Sequence, residues 1–335
     1  MSPASVSNLR QSGVELLHNA MDVPEHAASS LSVVVVSYNA RDLLRSCLSA
    51  VAPLGHELVV VDNASSDGSA ELVREEFPVA RLVAMQDNVG FGAGVNAGMR
   101  VTGSHYVLVL NPDAWPVGGA IDRLLEHAGR VPRAALLGPR LIDAHGKAQR
   151  SAIRPPGAFA LAFWIAFPRL FSGAYGIARR LTGSGGREKV REGEFLMGAV
   201  LLLRRKAVEQ IGGFDEAFFM FNEEVDLCFR LRNAGWQVEL VPSATFVHVG
   251  GASTQTVPDQ MYRELLRSHL RFLAKHRGMR EAELARRLLI LALRFRAVFT
   301  GGVRERAAAA WLASSGKEEL LAPSRSSRGS YRNRA

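Results

Sequence analysis

Tyr106-Val-Leu-Val-Leu-Asn-Pro-Asp113 decides the fold. An apolar, β-prone run stops abruptly at Asn-Pro-Asp, because Pro112 has a fixed φ and no N–H to give to a ladder. The Asp113 carboxylate is thereby expected at the carboxyl end of a buried strand, where open α/β sheets bind their ligands. A hard cation such as Mg2+ takes oxygen ligands, commonly one or two carboxylates plus phosphate oxygens. For this stretch taken alone, a plain Asn-Pro-Asp turn with a solvated carboxylate is the simpler alternative.

Three earlier runs end in the same way. Leu31–Val36 leads to Ser37-Tyr38-Asn39, Glu57–Val61 to Asp62-Asn63, and Arg81–Met85 to a loop opening at Asn88. Helical patterns separate them; Leu43, Leu44, Cys47, Leu48 and Val51 recur near helical spacing in the first. Strands alternating with helices predict βαβ units and a mostly parallel α/β sheet, with four polar strand ends on one rim. Further on, Ile121–Ala128 and Val225–Ala234 read as helices, Ala135–Leu137 and Val238–Val241 as strands, and residues 143–193 as a loop-rich insertion.

The composition, 47% apolar and 22% charged over 335 residues, is that of a globular protein and excludes wholesale disorder. Two cysteines, Cys47 and Cys228, argue against a disulfide scaffold. No secretory pattern opens the chain, and no apolar run approaches the roughly 20 residues of a spanning helix, so a cytoplasmic protein with peripheral membrane contact is expected. From residue 261 onward 17 Lys+Arg face 6 Asp+Glu, so the net charge of +9 belongs to the C-terminal segment. Those basic residues are not interleaved with stacking aromatics, which speaks against nucleic acid.

Three clusters could carry chemistry. Asp62 combines a strand-end carboxylate with the hydroxyl-rich loop Ala64-Ser-Ser-Asp-Gly-Ser69 and suits a base or ribose, whereas Asp67 reads as a helix cap. Asn88–Gly98 carries Gly90, Gly92, Gly94 and Gly98; such a run either admits a phosphate to the backbone or permits tight packing. Its Gly90-x-Gly92-x-x-Val95 frame is not the full dinucleotide fingerprint. Glu223, Glu224 and Asp226 adjoin the apolar Phe218–Phe221, where a carboxylate can be raised to a general base near neutrality; an acidic first helical turn is the other reading. His248, before two glycines, is evenly balanced between a structural and a ligand role.

The ordered set Val33–Asn39, Asp62–Ser69, Asn88–Gly98, Asn111-Pro-Asp113, Gly212-Gly-Phe-Asp215, Asn222–Leu227 and His248-Val-Gly-Gly resembles the family 2 glycosyltransferases of the GT-A fold, in their rhamnosyltransferase-like branch. The resemblance covers roughly residues 31 to 255. It implies inverting transfer of a sugar, with L-rhamnose from dTDP-rhamnose as first choice, from a nucleoside diphosphate to a hydroxyl of a glycan or lipid-linked acceptor in cell-envelope polysaccharide synthesis. Donor binding would fall to Ser37, Tyr38, Asn39, Asp62, Asn63, Asn88, Gly90, Gly92, Asn96 and Asn111. Asp113 would hold Mg2+ or Mn2+ with help from His248, Asn111 standing where the family's first metal-motif Asp is expected. Glu224 would be the general base, with Glu223 in reserve.

The implied organisation is an N-terminal arm over 1–30, a GT-A domain over 31–257 divided near 115 into donor and acceptor halves, a basic amphipathic helical extension over 258–322, and a disordered tail over 323–335. In the extension Arg263, Arg267, Arg271 and Lys275 line one helical stripe and Tyr262, Leu266, Leu270 and Leu273 an adjacent apolar one. Such a helix suits anionic lipid or a lipid-diphosphate carrier, and a charged face packed on the catalytic domain is the alternative for its first part. Membrane contact is expected within 261–300, chiefly at Leu288–Phe299. A nucleotide-dependent oxidoreductase and a non-catalytic carbohydrate-binding protein remain the competing functional classes.

Overall fold

The computed structural model describes residues 31–153, 157–167, 194–250, 258–316 and 320–322. The expected arm over 1–30 and tail over 323–335 lie outside the described residues.

The chain runs β1 (Leu31–Ser37), α1 (Arg41–Val51), β2 (Glu57–Asp62), α2 (Ser69–Glu76), β3 (Arg81–Ala84), α3 (Phe91–Arg100), β4 (Tyr106–Leu110), β5 (Ala114–Val117), α4 (Ala120–Arg130) and β6 (Ala134–Ile142). There follow β7 (Ala152–Ile153), α5 (Ala158–Ala166), β8 (Phe195–Leu196), β9 (Val200–Arg204), α6 (Arg205–Gln210), α7 (Glu223–Asn233) and β10 (Gln237–His248). Three helices, α8 (Pro258–Arg277), α9 (Met279–Thr300) and α10 (Val303–Ser314), complete it.

Eight strands form one sheet in the order β3-β2-β1-β4-β9-β6-β10-β5. The first four are parallel neighbours, as the βαβ pattern requires. Every residue of β1 is buried, because its two faces serve two layers. Val34 and Val36 join Val95 and Met99 of α3 on one side, and Val33 and Val35 join Leu44 and Leu48 of α1 on the other. A strand covered on both faces reads as an unbroken apolar run for this reason.

The second half of the sheet is mixed. β9 lies antiparallel between β4 and β6, β6 and β10 are parallel, and β5 closes the edge antiparallel to β10. Two elements depart from expectation. β5 contains Pro116, which argues against a strand except at an edge, and an edge is where it sits. The region 143–193, expected to be irregular, holds β7 and the wholly apolar α5 among its described residues.

α8 docks part of its basic stripe inward, against the catalytic domain. Arg271 is buried and donates to the carbonyls of Ala217 and Ala322. Lys275 Nζ bonds Asp215 (2.7 Å) and Asp226 (2.6 Å), and His276 Nε2 also meets Asp226 at 2.7 Å. Asp226, on α7, is fully buried and adds Arg230 at 2.7 Å. Burial would raise its carboxyl, but the hydrogen bonds from His276 and Lys275 and the charge of Arg230 outweigh burial and hold it below the usual range. Of the stripe, Arg271 and Lys275 take the alternative of packing on the catalytic domain, whereas Arg263 is exposed and Arg267 pairs with Glu264 of its own helix at 3.0 Å; one apolar core runs through both regions, Leu266, Leu270 and Leu273 joining Val225 and Leu227. Asp226→Ala leaves Lys275, Arg230 and the His276 imidazole facing a buried hole, and removing one partner of a buried ion pair costs about 3–5 kcal/mol. Denaturant unfolding should show a loss of that order; a loss below about 1 kcal/mol would contradict the ion-pair clasp.

Candidate active site

The four parallel strands deliver their ends to one rim. There a cleft of about 280 Å³ opens, lined by Ser37, Tyr38, Asn63, Asn88, Asn111, Asp113, Glu223, Glu224 and His248 among others. Nine of the fourteen expected site residues thus meet in one place. The other five, Asn39, Asp62, Gly90, Gly92 and Asn96, do not line it.

Four of those five brace the rim. Asn39, held at φ 47°, accepts from the Ser66 N–H (2.8 Å) and ties the end of β1 to the loop after β2. Gly90, at φ 89°, has no room for a side chain: a Cβ would stand 2.2 Å from the Phe219 carbonyl oxygen, which accepts from Phe91 N–H at 2.9 Å. Gly92 abuts Phe214, and Gly94 and Gly98 let α3 close on Val36 and Val34 of β1. Asn96 spends its amide on Phe214 and Glu216. Gly92 and Asn96, expected as donor contacts, pack against and bond Phe214 outside the cleft lining, and Gly94 and Gly98 hold α3 to β1. Asp62 is different. Its Oδ2 accepts from Ser65 N–H (3.1 Å), while its buried Oδ1 has no partner among the described residues. Burial raises this carboxyl.

The donor-side residues of the cleft are cross-linked. Asn63 Nδ2 donates to Asn88 Oδ1 (2.9 Å) and to the Gly90 carbonyl (3.0 Å), and Asn63 Oδ1 accepts from Val89 N–H (3.1 Å). Ser37 Oγ is buried in the cleft wall and has no partner among the described residues.

Across the cleft stand the acids. Phe221 and Asn222 both adopt left-handed φ, 67° and 63°, immediately before α7. Such backbone is costly for a phenylalanine and concentrates at functional sites. The turn aims the first two residues of α7, Glu223 and Glu224, into the cleft. It is held from outside, because Ser268 of α8 donates to the Met220 carbonyl at 2.8 Å, and from inside, because Gly198 gives room to Glu224, whose Cγ lies 3.5 Å from where a Cβ would stand. Burial pushes the Glu224 carboxyl up to about 7. Glu223 is raised well above the ordinary range, by burial first and then by the charge of Glu224. Each has a buried Oε2 with no partner among the described residues.

Asp113 and His248 meet at the floor. Asp113 Oδ2 accepts from Gly250 N–H (3.0 Å), its carbonyl accepts from Val249 N–H (3.0 Å), and His248 Nε2 lies 3.6 Å from its Oδ1. Gln149, which the sequence did not single out, fixes the ring. Its Nε2 donates to the His248 carbonyl (2.7 Å), so its Oε1 faces His248 Nδ1 (3.0 Å) and accepts from it. Reversing the amide would set two carbonyl oxygens against each other. In the neutral ring the proton therefore sits on Nδ1, and the Nε2 lone pair is left toward Asp113.

One carboxylate and one imidazole lone pair on a common floor fit a divalent cation that draws its other ligands from diphosphate and water. Among the described residues, no group of three or more His, Cys, Asp or Glu gathers to hold a metal. Gln149→Leu should lower Mn2+ affinity about tenfold in the presence of thymidine diphosphate, by freeing the imidazole to rotate. Titration followed by electron paramagnetic resonance reads this directly, and an unchanged affinity would remove Gln149 from the site.

Similarity to known proteins agrees with this geometry. Residues 32–212 match Glycosyl transferase family 2, and residues 187–313 match Glycosyl transferase family group 2. A Mycobacterium tuberculosis protein named N-acetylglucosaminyl-diphospho-decaprenol L-rhamnosyltransferase is 35% identical over 276 residues, covering 76% of this chain and 87% of its own. A Haloferax volcanii hexosyltransferase of low-salt glycan biosynthesis is 24% identical over 265 residues, 78% of this chain and 80% of its own. Among solved structures, a Pyrobaculum calidifontis mannosyltransferase in complex with GDP-Man and Mn2+ superposes with a TM-score of 0.53 at 18% identity, over 88% of this chain and 78% of that one. S. aureus TarS with UDP-GlcNAc gives 0.51 at 13%, over 84% and 79%. These two likenesses establish the GT-A fold. With the family match spanning more than half the chain and the mycobacterial relative most of it, the chain belongs to glycosyl transferase family 2, in its rhamnosyltransferase-like branch.

Proposed function

We propose that this glycosyltransferase moves L-rhamnose from dTDP-rhamnose, with inversion, to a hydroxyl of a lipid-linked glycan during cell-envelope polysaccharide synthesis. The observation that carries the reading is the buried acid pair facing Asp113 and His248 across one cleft, in a chain 35% identical to a relative named for that transfer.

The donor nucleotide lies along Ser37, Tyr38, Asn63 and Asn88, and the orphaned Oδ1 of Asp62 accepts from its base or ribose. Its diphosphate comes to the floor at Asn111, Asp113 and His248. Asp113 and His248 would hold a divalent ion, Mg2+ or Mn2+, which would supply neutralisation of the charge growing on the leaving diphosphate. The acceptor enters past Met220, Phe221 and Met261, which give the cleft its apolar lip. Glu224 takes the proton of the acceptor hydroxyl as its oxygen bonds the anomeric carbon from the face opposite the breaking C–O bond. Glu223, raised by burial and then by the charge of Glu224, stands beside it to hydrogen-bond the acceptor. No helix among the described residues is long and apolar enough to cross a membrane.

The test is a donor screen with a polyprenyl-diphosphate-linked N-acetylglucosamine acceptor and Mg2+ or Mn2+, product anomers being read by NMR. Transfer from dTDP-rhamnose well above that from UDP- and GDP-sugars is expected. Transfer from another donor alone would overturn the rhamnose assignment, and a product that keeps the donor's anomeric configuration would overturn inversion.

A further inference from the structure

We propose that the outer faces of α5 and α9 together form a docking surface for an anionic phospholipid bilayer. The inference deepens the lipid-linked-acceptor reading and rests on it for the acceptor, but it is carried by residues outside the catalytic cleft.

α9 has two unlike faces. Ala282, Ala285, Leu289, Ala292, Leu293 and Ala297 are buried against its neighbours. On the opposite side Leu284, Leu291, Phe295 and Val298 recur at helical spacing and stand in solvent, Leu291 63% exposed, Val298 80% and the adjoining Phe299 73%. A surface helix ordinarily turns polar side chains outward.

α5 packs on α9 and carries no charged residue at all. It buries Leu161 and Ile165 and leaves Phe159 68% exposed, with Phe163 and Phe167 also outward. The rings join across the two helices: Phe163 to Phe167 at 5.2 Å, Phe167 to Phe295 at 5.2 Å, Phe295 to Phe299 at 4.6 Å. The result is a continuous aromatic strip, not scattered exposed side chains.

Charge chooses the occupant. Between residues 279 and 306 there are seven arginines and three acids; Glu281 is engaged by Arg277 at 3.0 Å, Glu283 by Arg286 and Arg287 at 2.9 and 3.0 Å, and Glu305 by Arg296 at 3.0 Å. The surplus is positive, and Arg287 and Arg294 are exposed on α9 itself. A symmetric pairing of two copies would set these arginines against each other, whereas an anionic lipid surface meets both the cations and the aromatic strip.

The strip also ends beside the cleft. In the first turn of α10, Arg304 lies 4.2 Å over the ring of Tyr262 and 3.8 Å from Asp259, both in the first turns of α8. Met261, the neighbour of Tyr262, lines the cleft. A sugar carried on a membrane-embedded lipid therefore reaches Glu224 without leaving the interface.

Vesicle flotation of the full chain tests this, with mixed phosphatidylcholine–phosphatidylglycerol vesicles against pure phosphatidylcholine. Wild type should float with the anionic vesicles and lose about tenfold in binding at high salt or on pure phosphatidylcholine. Val298→Glu/Phe299→Glu should abolish flotation with an unchanged thermal melt, and Leu291→Glu serves as a second variant should the first fail to fold. Transfer to a short-chain, water-soluble acceptor should be the same in wild type and variants, while transfer to a vesicle-embedded acceptor falls at least tenfold in the variants. Equal flotation of wild type and folded variants, or a wild type that stays with buffer and forms a dimer the variants dissolve, would overturn the docking surface. A wild type that floats but transfers to neither acceptor would leave docking standing and sink the proposed transfer.

Discussion

Glu224→Gln should lower turnover by at least about a hundredfold, the usual worth of a positioned general base, while nucleotide binding is unchanged. Two neighbouring glutamates share the site, and burial raises both, Glu224 to about 7 and Glu223 well above its ordinary range with the charge of Glu224 as a second cause. We assign the base to Glu224, whose carboxyl is poised near neutrality. Glu223→Gln keeps a hydrogen-bond donor in place and should cost far less than Glu224→Gln. Since the base must be ionised, kcat/KM rises with pH through about 7 and falls below it. Stability runs the other way. Between the ordinary glutamate value of 4.5 and about 7 the unfolded chain has released a proton that the folded chain still holds, so stability falls as pH rises through that window. Glu224→Gln removes this loss. Its melting temperature should gain about 2 °C or more on wild type between about pH 5 and about pH 8. A variant with more than half of wild-type turnover would exclude Glu224 as base, and a flat difference in melting temperature would exclude its buried, raised state.

The parallel half of the sheet was legible because burial on both faces leaves little choice of residue. β1, β2 and β4 read as apolar runs, and each hands a polar residue to the loop beyond it. β10 was read only as far as Val241; it continues through Pro242 to His248 by way of a register shift between Val241 and Thr245. Proline and serine in mid-strand carry a loop signature that local pattern cannot override. In the site, position was easier to read than direction. Asn39, Asn63, Asn88 and Asn96 are chemically alike and near the rim, yet two line the cleft and two brace it. Nothing in a one-dimensional pattern says which way an asparagine turns. Gln149 gave no signal at all, since a single glutamine in an irregular segment lies 99 residues from the histidine it orients. The basic stripe of α8 was visible as a stripe, but its partners, Asp215 and Asp226, are set by tertiary packing.

Asp113→Ala should reduce metal-stimulated transfer by at least about a hundredfold, because it deletes the one carboxylate on the cleft floor and leaves His248 as a lone imidazole. That carboxylate is bound into the backbone as well: Oδ2 accepts from Gly250 N–H while Oδ1 points toward His248. A loss in the alanine variant could thus come from charge or from the 249–250 turn, and Asp113→Asn separates them. The amide keeps an oxygen for Gly250 and gives up only the charge. The asparagine variant should fold and bind nucleotide as wild type does, yet lose Mn2+ affinity about as severely as the alanine variant. With Asn111 two residues before it, no second carboxylate among the described residues adjoins the floor to rescue the site. Mn2+ affinity in wild type should in turn rise at least about tenfold when thymidine diphosphate is present, because two protein donors leave most of the coordination sphere to phosphate and water. Tight Mn2+ binding without nucleotide, or full transfer by Asp113→Asn in the presence of chelator, would move the metal away from Asp113. The leaving diphosphate would then depend on Asn111, His248 and the backbone N–H groups of the floor for its charge.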